Sequence, residues 1–236
     1  MTASWSRWNR VISSDTREIA ARLNYDIDGL NNNLIERDLS TEQLFILLEK
    51  YTSDRIRNDW NGWTFRFHVA SIFGWSIPCK SALEEVKNFV KDDLVLEIAA
   101  GRGLWSALMR SVGINVICTS IIDGEYYNKE QMEKTWTDIE LLDCEKAVEK
   151  YRGANCLFLS WGSGNSLYKA LDNFIGHYLI VIGELNGCTD DLRNTDDSYT
   201  RYDFDFVLVK EVDIPQWPGM KDKMYFYSRS YGPHSS

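Results

Sequence analysis

Residues 94 to 105 constrain the fold of this chain more than any other stretch. Apart from Glu97, the run Leu94-Val95-Leu96-Glu97-Ile98 is apolar throughout, as a strand covered on both faces requires. It passes directly into Ala99-Ala100-Gly101-Arg102-Gly103, and Leu104 to Arg110 then resumes at helical spacing. A strand, a glycine turn and a helix in that order form a backbone-lined hollow at a strand end, the architecture of nucleotide-cofactor binding; a chance strand-to-helix turn is the bland alternative. Glu97 narrows what such a hollow can hold. A carboxylate beside the turn repels a pyrophosphate and welcomes a cationic ligand.

The rest of the chain extends that unit. Strands are expected at 94–98, 114–119, 138–142, 155–160 and 178–183, separated by helices at 103–112, 127–134, 144–152 and 165–175, with Gly113, Gly153 and Gly176 as helix stops. Such alternation describes a doubly wound parallel sheet. The ending breaks the pattern: Phe204 to Ile214 and Lys223 to Ser230 are β-rich runs joined by Pro215-Gln216-Trp217-Pro218-Gly219 with no crossover helix, so they form an antiparallel pair. Upstream, residues 15–24 read as a helix. Ser40-Thr41-Glu42-Gln43 opens a second as a capping box, and Ser81-Ala82-Leu83-Glu84 a third after Ile77-Pro78. The aromatic-dense stretch from Trp60 to Trp75 is expected to pack a helical cap (residues 1–75) against the main domain (76–236); a substrate-side wall is the alternative.

Composition bounds the function. The 236 residues suffice for one substantial core, and 44% hydrophobic content is ordinary for a globular protein. Trp5, Arg7, Trp8 and Arg10 interrupt any leader-like apolar run and no later segment spans a bilayer, so a cytoplasmic protein without membrane contact is expected. The net charge of −9 disfavours nucleic acid as a partner. Five scattered cysteines and three isolated histidines (His68, His177 and His234) show no metal-ligand spacing, and no structural metal is expected.

With its E-x-x-x-G-x-G strand end and antiparallel final strand, the chain resembles the class I S-adenosylmethionine (SAM)-dependent methyltransferases. The resemblance implies a Rossmann-like, seven-stranded, mostly parallel α/β sheet whose last strand is antiparallel, preceded here by an N-terminal helical extension. It also implies SAM as cofactor. The chain is similar, further, to an uncharacterised methyltransferase-like family through Trp75-x-Ile77-Pro78, Ala82-Leu83, Glu97 to Trp105, Leu157 to Trp161, Gly183-Glu184-x-x-Gly187-Cys188-Thr189 and Ile214-Pro215-x-Trp217. It departs from that family at Ala99, where glycine is usual, and at Trp161-Gly162-Ser163, where Trp-Pro-Pro is usual. Alanine at 99 costs little if that backbone has negative φ; the loss of two prolines makes the turn beside the transferred methyl more flexible.

The resemblance implies that Glu97, Ala99, Gly101, Gly103, Trp105, Thr119, Ser120, Asp143 and Trp161 face the cofactor. Glu97 would anchor its ammonium or, more simply, accept from a helix N-terminus. The second strand ends Cys118-Thr119-Ser120, without the usual ribose-binding acid, leaving Thr119, Ser120 or Asp123 for that contact. Asp143 would meet the adenine amino group, and as an N-cap it has a second explanation. Glu184, ending the fifth strand, is the expected catalytic acid or base. The acidic loop Asp190, Asp191, Asp196 and Asp197 is a solvated face or, folded over the site, a lure for amines. The expected activity is methyl transfer to a small-molecule acceptor. A SAM-binding or scaffold protein without turnover is the alternative, and a serine hydrolase is disfavoured because Gly162-Ser163-Gly164-Asn165-Ser166 is no nucleophile elbow.

Overall fold

The alternation of strand and helix builds one seven-stranded sheet. In a computed structural model, which describes residues 14–22, 25–26, 28–30, 32–53, 63–122, 132–162, 164–184 and 205–230, the helices are α1 (Ser14–Arg22), α2 (Thr41–Thr52), α3 (Trp63–Phe73), α4 (Lys80–Val90), α5 (Leu104–Ser111), α6 (Cys144–Lys150) and α7 (Gly164–Leu171). The strands are β1 (Val95–Ile98), β2 (Val116–Ser120), β3 (Glu140–Leu141), β4 (Cys156–Ser160), β5 (Tyr178–Gly183), β6 (Phe206–Asp213) and β7 (Lys223–Arg229). Their order is β3-β2-β1-β4-β5-β7-β6. The first five run parallel; β7 inserts antiparallel between β5 and β6.

Period-two side chains divide the core between the two faces. Val95, Cys156, Phe158, Ile180, Ile182, Met224 and Phe226 pack against α2, α3, α4 and α5. Leu96, Ile98, Leu157, Leu159, Leu179, Val181, Tyr225 and Tyr227 pack against α6 and α7. The N-terminal helices share the first of these layers: Leu44 and Leu48 of α2 and Val69 of α3 lie in the same cluster as Val95 and Phe226. At one edge β6 exposes Val207, Leu208 and Val209, with a register shift between Leu208 and Lys210.

Local signals held where the side chain acts on its own backbone. Ser40 Oγ accepts from Gln43 N at 3.3 Å while Gln43 Oε1 accepts from Ser40 N at 2.7 Å, the full capping box. The second expected box, at Ser81, does not form. Cys79, extended at φ −136° behind Pro78, is the N-cap of α4, so Ser81 already lies inside the first turn. Glycine meant different things at different helix ends. Gly113 takes a left-handed φ of 85° after α5, whereas at Gly176 a Cβ would stand 2.7 Å from Ala154 O and 2.8 Å from Asn155 O, so close backbone approach, not helix termination, excludes a side chain there. Helix α7 correspondingly ends at Leu171, earlier than expected. The helix expected at 127–134 falls largely outside the described residues.

Candidate functional site

The strand order reverses beside β1: the chain steps outward through β2 and β3, then crosses back to β4 on the other side. In open α/β sheets the carboxyl ends of the strands flanking such a reversal form a crevice. The turn from Ala99 to Gly103 lies there, and three of its residues are left-handed: Ala99 at φ 51°, Gly101 at 56° and Gly103 at 78°. The condition under which alanine at 99 would be harmless is therefore not met, since a left-handed non-glycine residue costs about 1–2 kcal/mol. Ala99→Gly is expected to stabilise the protein by about 1 kcal/mol after the added flexibility of the unfolded chain is counted, read from denaturant midpoints. Gly103 is required for packing: a Cβ would meet Thr137 Cγ2 at 3.0 Å, Ile139 Cδ1 at 3.1 Å and Cys118 Sγ at 3.2 Å.

Glu97 lies beneath this turn, 1% exposed. Its carboxylate accepts hydrogen bonds from the hydroxyl and backbone N–H of Ser106, in the first turn of α5, and Cys118 Sγ stands 4.0 Å from Oε2. Gly103, the N-cap of α5, has no side chain to offer, so Glu97 supplies the missing acceptor from the neighbouring strand. Burial pushes its carboxyl up to about 7, against the opposing pull of the Ser106 bonds and of the Arg110 charge. The same burial, with the Glu97 charge nearby, pushes the Cys118 thiol far above its ordinary range.

Along β2, Thr119 is fully buried and its hydroxyl donates to Glu97 O at 3.1 Å; Ser120 is 4% exposed. Asp143 caps α6, accepting from Lys146 N at 2.9 Å and Lys146 Nζ at 2.7 Å, contacts that hold its carboxyl below the usual range. Trp105 points into the core. Its Nε1 donates to Ser76 Oγ at 2.7 Å, and that hydroxyl meets Ser160 Oγ at 2.6 Å. This links the Trp75-x-Ile77-Pro78 segment to the end of β4.

Trp161 follows β4 with a left-handed φ of 53°. Its indole stacks on Trp75 at 5.6 Å and 11°, and its Nε1 donates to Asp222 Oδ2 at 2.9 Å. Glu184, 4% exposed, follows β5 and accepts from Lys221 N at 2.5 Å. Because Gly183 pairs with Lys223, the residues entering β7 bring Asp222 and Lys221 to the same edge as Trp161 and Glu184. Gly187-Cys188-Thr189, Asp123, Ser163 and the acidic loop Asp190 to Asp197 lie outside the described residues.

Several residues of this edge were not singled out in the sequence. Asp222 is buried to 1%, yet in sequence it is one more acid in a turn. Arg66 is 4% exposed, with its guanidinium carbon 4.8 Å from the Trp161 ring centre, 5.8 Å from Trp75 and 6.0 Å from Trp217. A lone arginine within an aromatic-dense stretch was the available signal. Arg102, 2% exposed, donates to Ser71 O at 2.9 Å and to Lys134 O through Nε and Nη2 at 2.8 and 2.6 Å. Ile121 and Ile122, after β2, and Leu141 on β3 are 48%, 41% and 58% exposed, an apolar patch at the carboxyl ends of the two strands.

Among the described residues no group of three or more His, Cys, Asp or Glu is placed to hold a metal, and no helix is long and apolar enough to cross a membrane. No family model and no curated protein matches the chain. Among solved structures it is similar to a protein of the NADB-Rossmann superfamily from Streptococcus agalactiae, at 18% identity over 68% of this chain and 72% of that one, with a TM-score of 0.45. It is also similar to the tRNA (m1A58) methyltransferase TrmI from Aquifex aeolicus, at 11% identity over 66% and 71% of the two chains, with a TM-score of 0.44.

Proposed function

We propose that this chain is a SAM-dependent methyltransferase, cytoplasmic and acting on a small molecule, with residues 1–75 as a cap over a catalytic unit at 76–236. The observation that supports it best is the coincidence of three features at one point: the reversal of strand order, the left-handed turn from Ala99 to Gly103, and the buried carboxyl of Glu97 below it. Glu97 fits a cationic ligand, because a carboxyl already raised by burial gains most from a positive neighbour. The turn would hold the amino-acid end of SAM, and the apolar side chains of Ile121, Ile122 and Leu141 would flank its adenine. Bound there, SAM would supply an electrophilic methyl on a sulfonium. The chain's own residues would align the acceptor beside Trp161 and exclude water, and Glu184 would take the proton an acceptor nucleophile sheds. The net charge of −9 sets a polyanionic acceptor at a disadvantage.

A second reading, binding of SAM or its product without turnover, is favoured by one specific observation. Five of the candidate polar groups already have an internal bond: Glu97 to Ser106, Thr119 to Glu97 O, Asp143 to Lys146, Trp161 to Asp222 and Glu184 to Lys221.

Thermal unfolding with and without SAM or S-adenosylhomocysteine tests the shared element. A ligand at about 100 times its dissociation constant stabilises by about 2.7 kcal/mol, several degrees for a chain this long. The expected result is a shift with both ligands, diminished in Glu97→Gln. No shift in folded protein would overturn both cofactor readings. A shift without S-adenosylhomocysteine formation across a broad acceptor panel would select the second.

A further inference from the structure

Three indoles converge on one guanidinium at the carboxyl edge of the sheet. Trp217 is 2% exposed and donates through Nε1 to Trp75 O at 3.0 Å, which fixes one wall of the group. Trp75 and Trp161, stacked nearly parallel, form another, and both keep partial solvent exposure. Asp222 holds the Trp161 indole through Nε1, so a carboxylate stands at the rim of the aromatic surface. Aromatic faces with a carboxylate beside them are the chemistry that recognises an organic cation. In the structure the cation on those faces is the side chain of Arg66, from α3. The backbone of α3 is held independently of it: Arg102 donates to Ser71 O and Trp136 Nε1 to Ile72 O at 2.8 Å, both in the last turn of the helix. Arg66 is thus presented to the indoles by a helix whose end is anchored without it.

We propose that the Trp75–Trp161–Trp217 cage is the seat for a cationic group of the methyl acceptor, an ammonium or a guanidinium, and that Arg66 is the internal competitor for that seat. Assignment of the seat to an acceptor rests on the methyltransferase reading; its affinity for organic cations does not. The cage borders the turn after β4 and the Glu184 edge, so a cation held there would bring its attached nucleophile to the sheet end where transfer is placed. A tethered competitor acts at high effective concentration, so free cations must be offered in the millimolar range.

The test is a tryptophan-fluorescence titration of the full chain with tetramethylammonium chloride and methylguanidinium chloride. Sodium chloride at equal ionic strength and neutral tert-butanol serve as controls. A saturable response to the two cations alone is expected in the parent. Binding should be about 10-fold tighter in Arg66→Gln and Arg66→Met, as removal of a competitor that holds the seat about 90% of the time requires. The response should be lost in Trp161→Leu. No saturable response in either folded Arg66 variant would overturn the proposal. A response in those variants with a silent parent would make Arg66 a fixed strut and overturn it equally. Thermal shifts with S-adenosylhomocysteine on the same samples separate the two readings. Cation binding without such a shift would overturn the methyltransferase assignment while leaving a cation site; a shift without cation binding would overturn the cage alone.

Discussion

Glu97→Gln will melt several degrees above the parent protein at pH 8 and close to it near pH 5. The folded carboxyl titrates at about 7 against an ordinary 4.5, because burial beneath the glycine turn opposes its ionisation. The folded state therefore holds this proton more tightly than the unfolded chain does. Stability falls as pH rises from the unfolded value through the folded one, and levels off above it. Glutamine keeps the volume and the oxygen that accepts from Ser106 but cannot ionise, so the Glu97 contribution to that decline disappears. At about 1.4 kcal/mol per pH unit the difference at pH 8 is on the order of 3 kcal/mol. Midpoints measured from pH 5 to 8 would reveal it, and parallel curves for the two proteins would show that Glu97 is not the titrating group. A cationic ligand that draws on Glu97 carries a second signature: its affinity rises through pH 7 with release of a proton, detectable as a buffer-dependent heat of binding.

Arg102→Ala is expected to cost about 3 kcal/mol or more, since charge-assisted bonds to Ser71 O and Lys134 O are lost together from a buried site. Arg102→Lys should recover little of this, because one ammonium cannot reproduce a fork that reaches two carbonyls from a fixed plane. The damage should be local before it is global. Trp136 N donates to Arg102 O at 2.9 Å, and its ring stacks on Phe73 at 5.4 Å and 19°. The glycine turn, the end of α3 and the segment around residue 136 are thus one hydrogen-bonded unit. Hydrogen exchange should accelerate in α3 and around Trp136 in Arg102→Ala while β4 and β5 remain protected; uniform acceleration would mean that Arg102 supports the whole fold equally.

What was legible in the sequence followed from how far each interaction reaches. The alternation at β1, β4 and β5 and the helix-free link between β6 and β7 are short-range patterns, enough for a parallel sheet with an antiparallel ending but not for the order of its strands. The Ser40 cap and the Asp143 cap act within three residues and were equally readable. Glu97 was visible as an acid in an apolar strand, whereas its partner Ser106, nine positions on, becomes legible only once α5 folds back over β1. The left-handed backbone at Ala99 and Trp161 has no composition signal, because neither residue prefers that conformation and tertiary contacts impose it. Arg66 and Asp222 meet Trp161 across separations of 95 and 61 residues, beyond any pattern a window can detect.

The inserted strand β7 also sets an order of events during synthesis. It is made after the other six described strands, yet it occupies an interior position, pairing with β5 on one side and β6 on the other. A nascent chain that has reached residue 222 contains both neighbours and nothing to join them, leaving two unpaired apolar edges open to other chains. Completion of the sheet therefore waits until residues 223–229 emerge, and the interval before they do is the one in which the sheet is most open to aggregation.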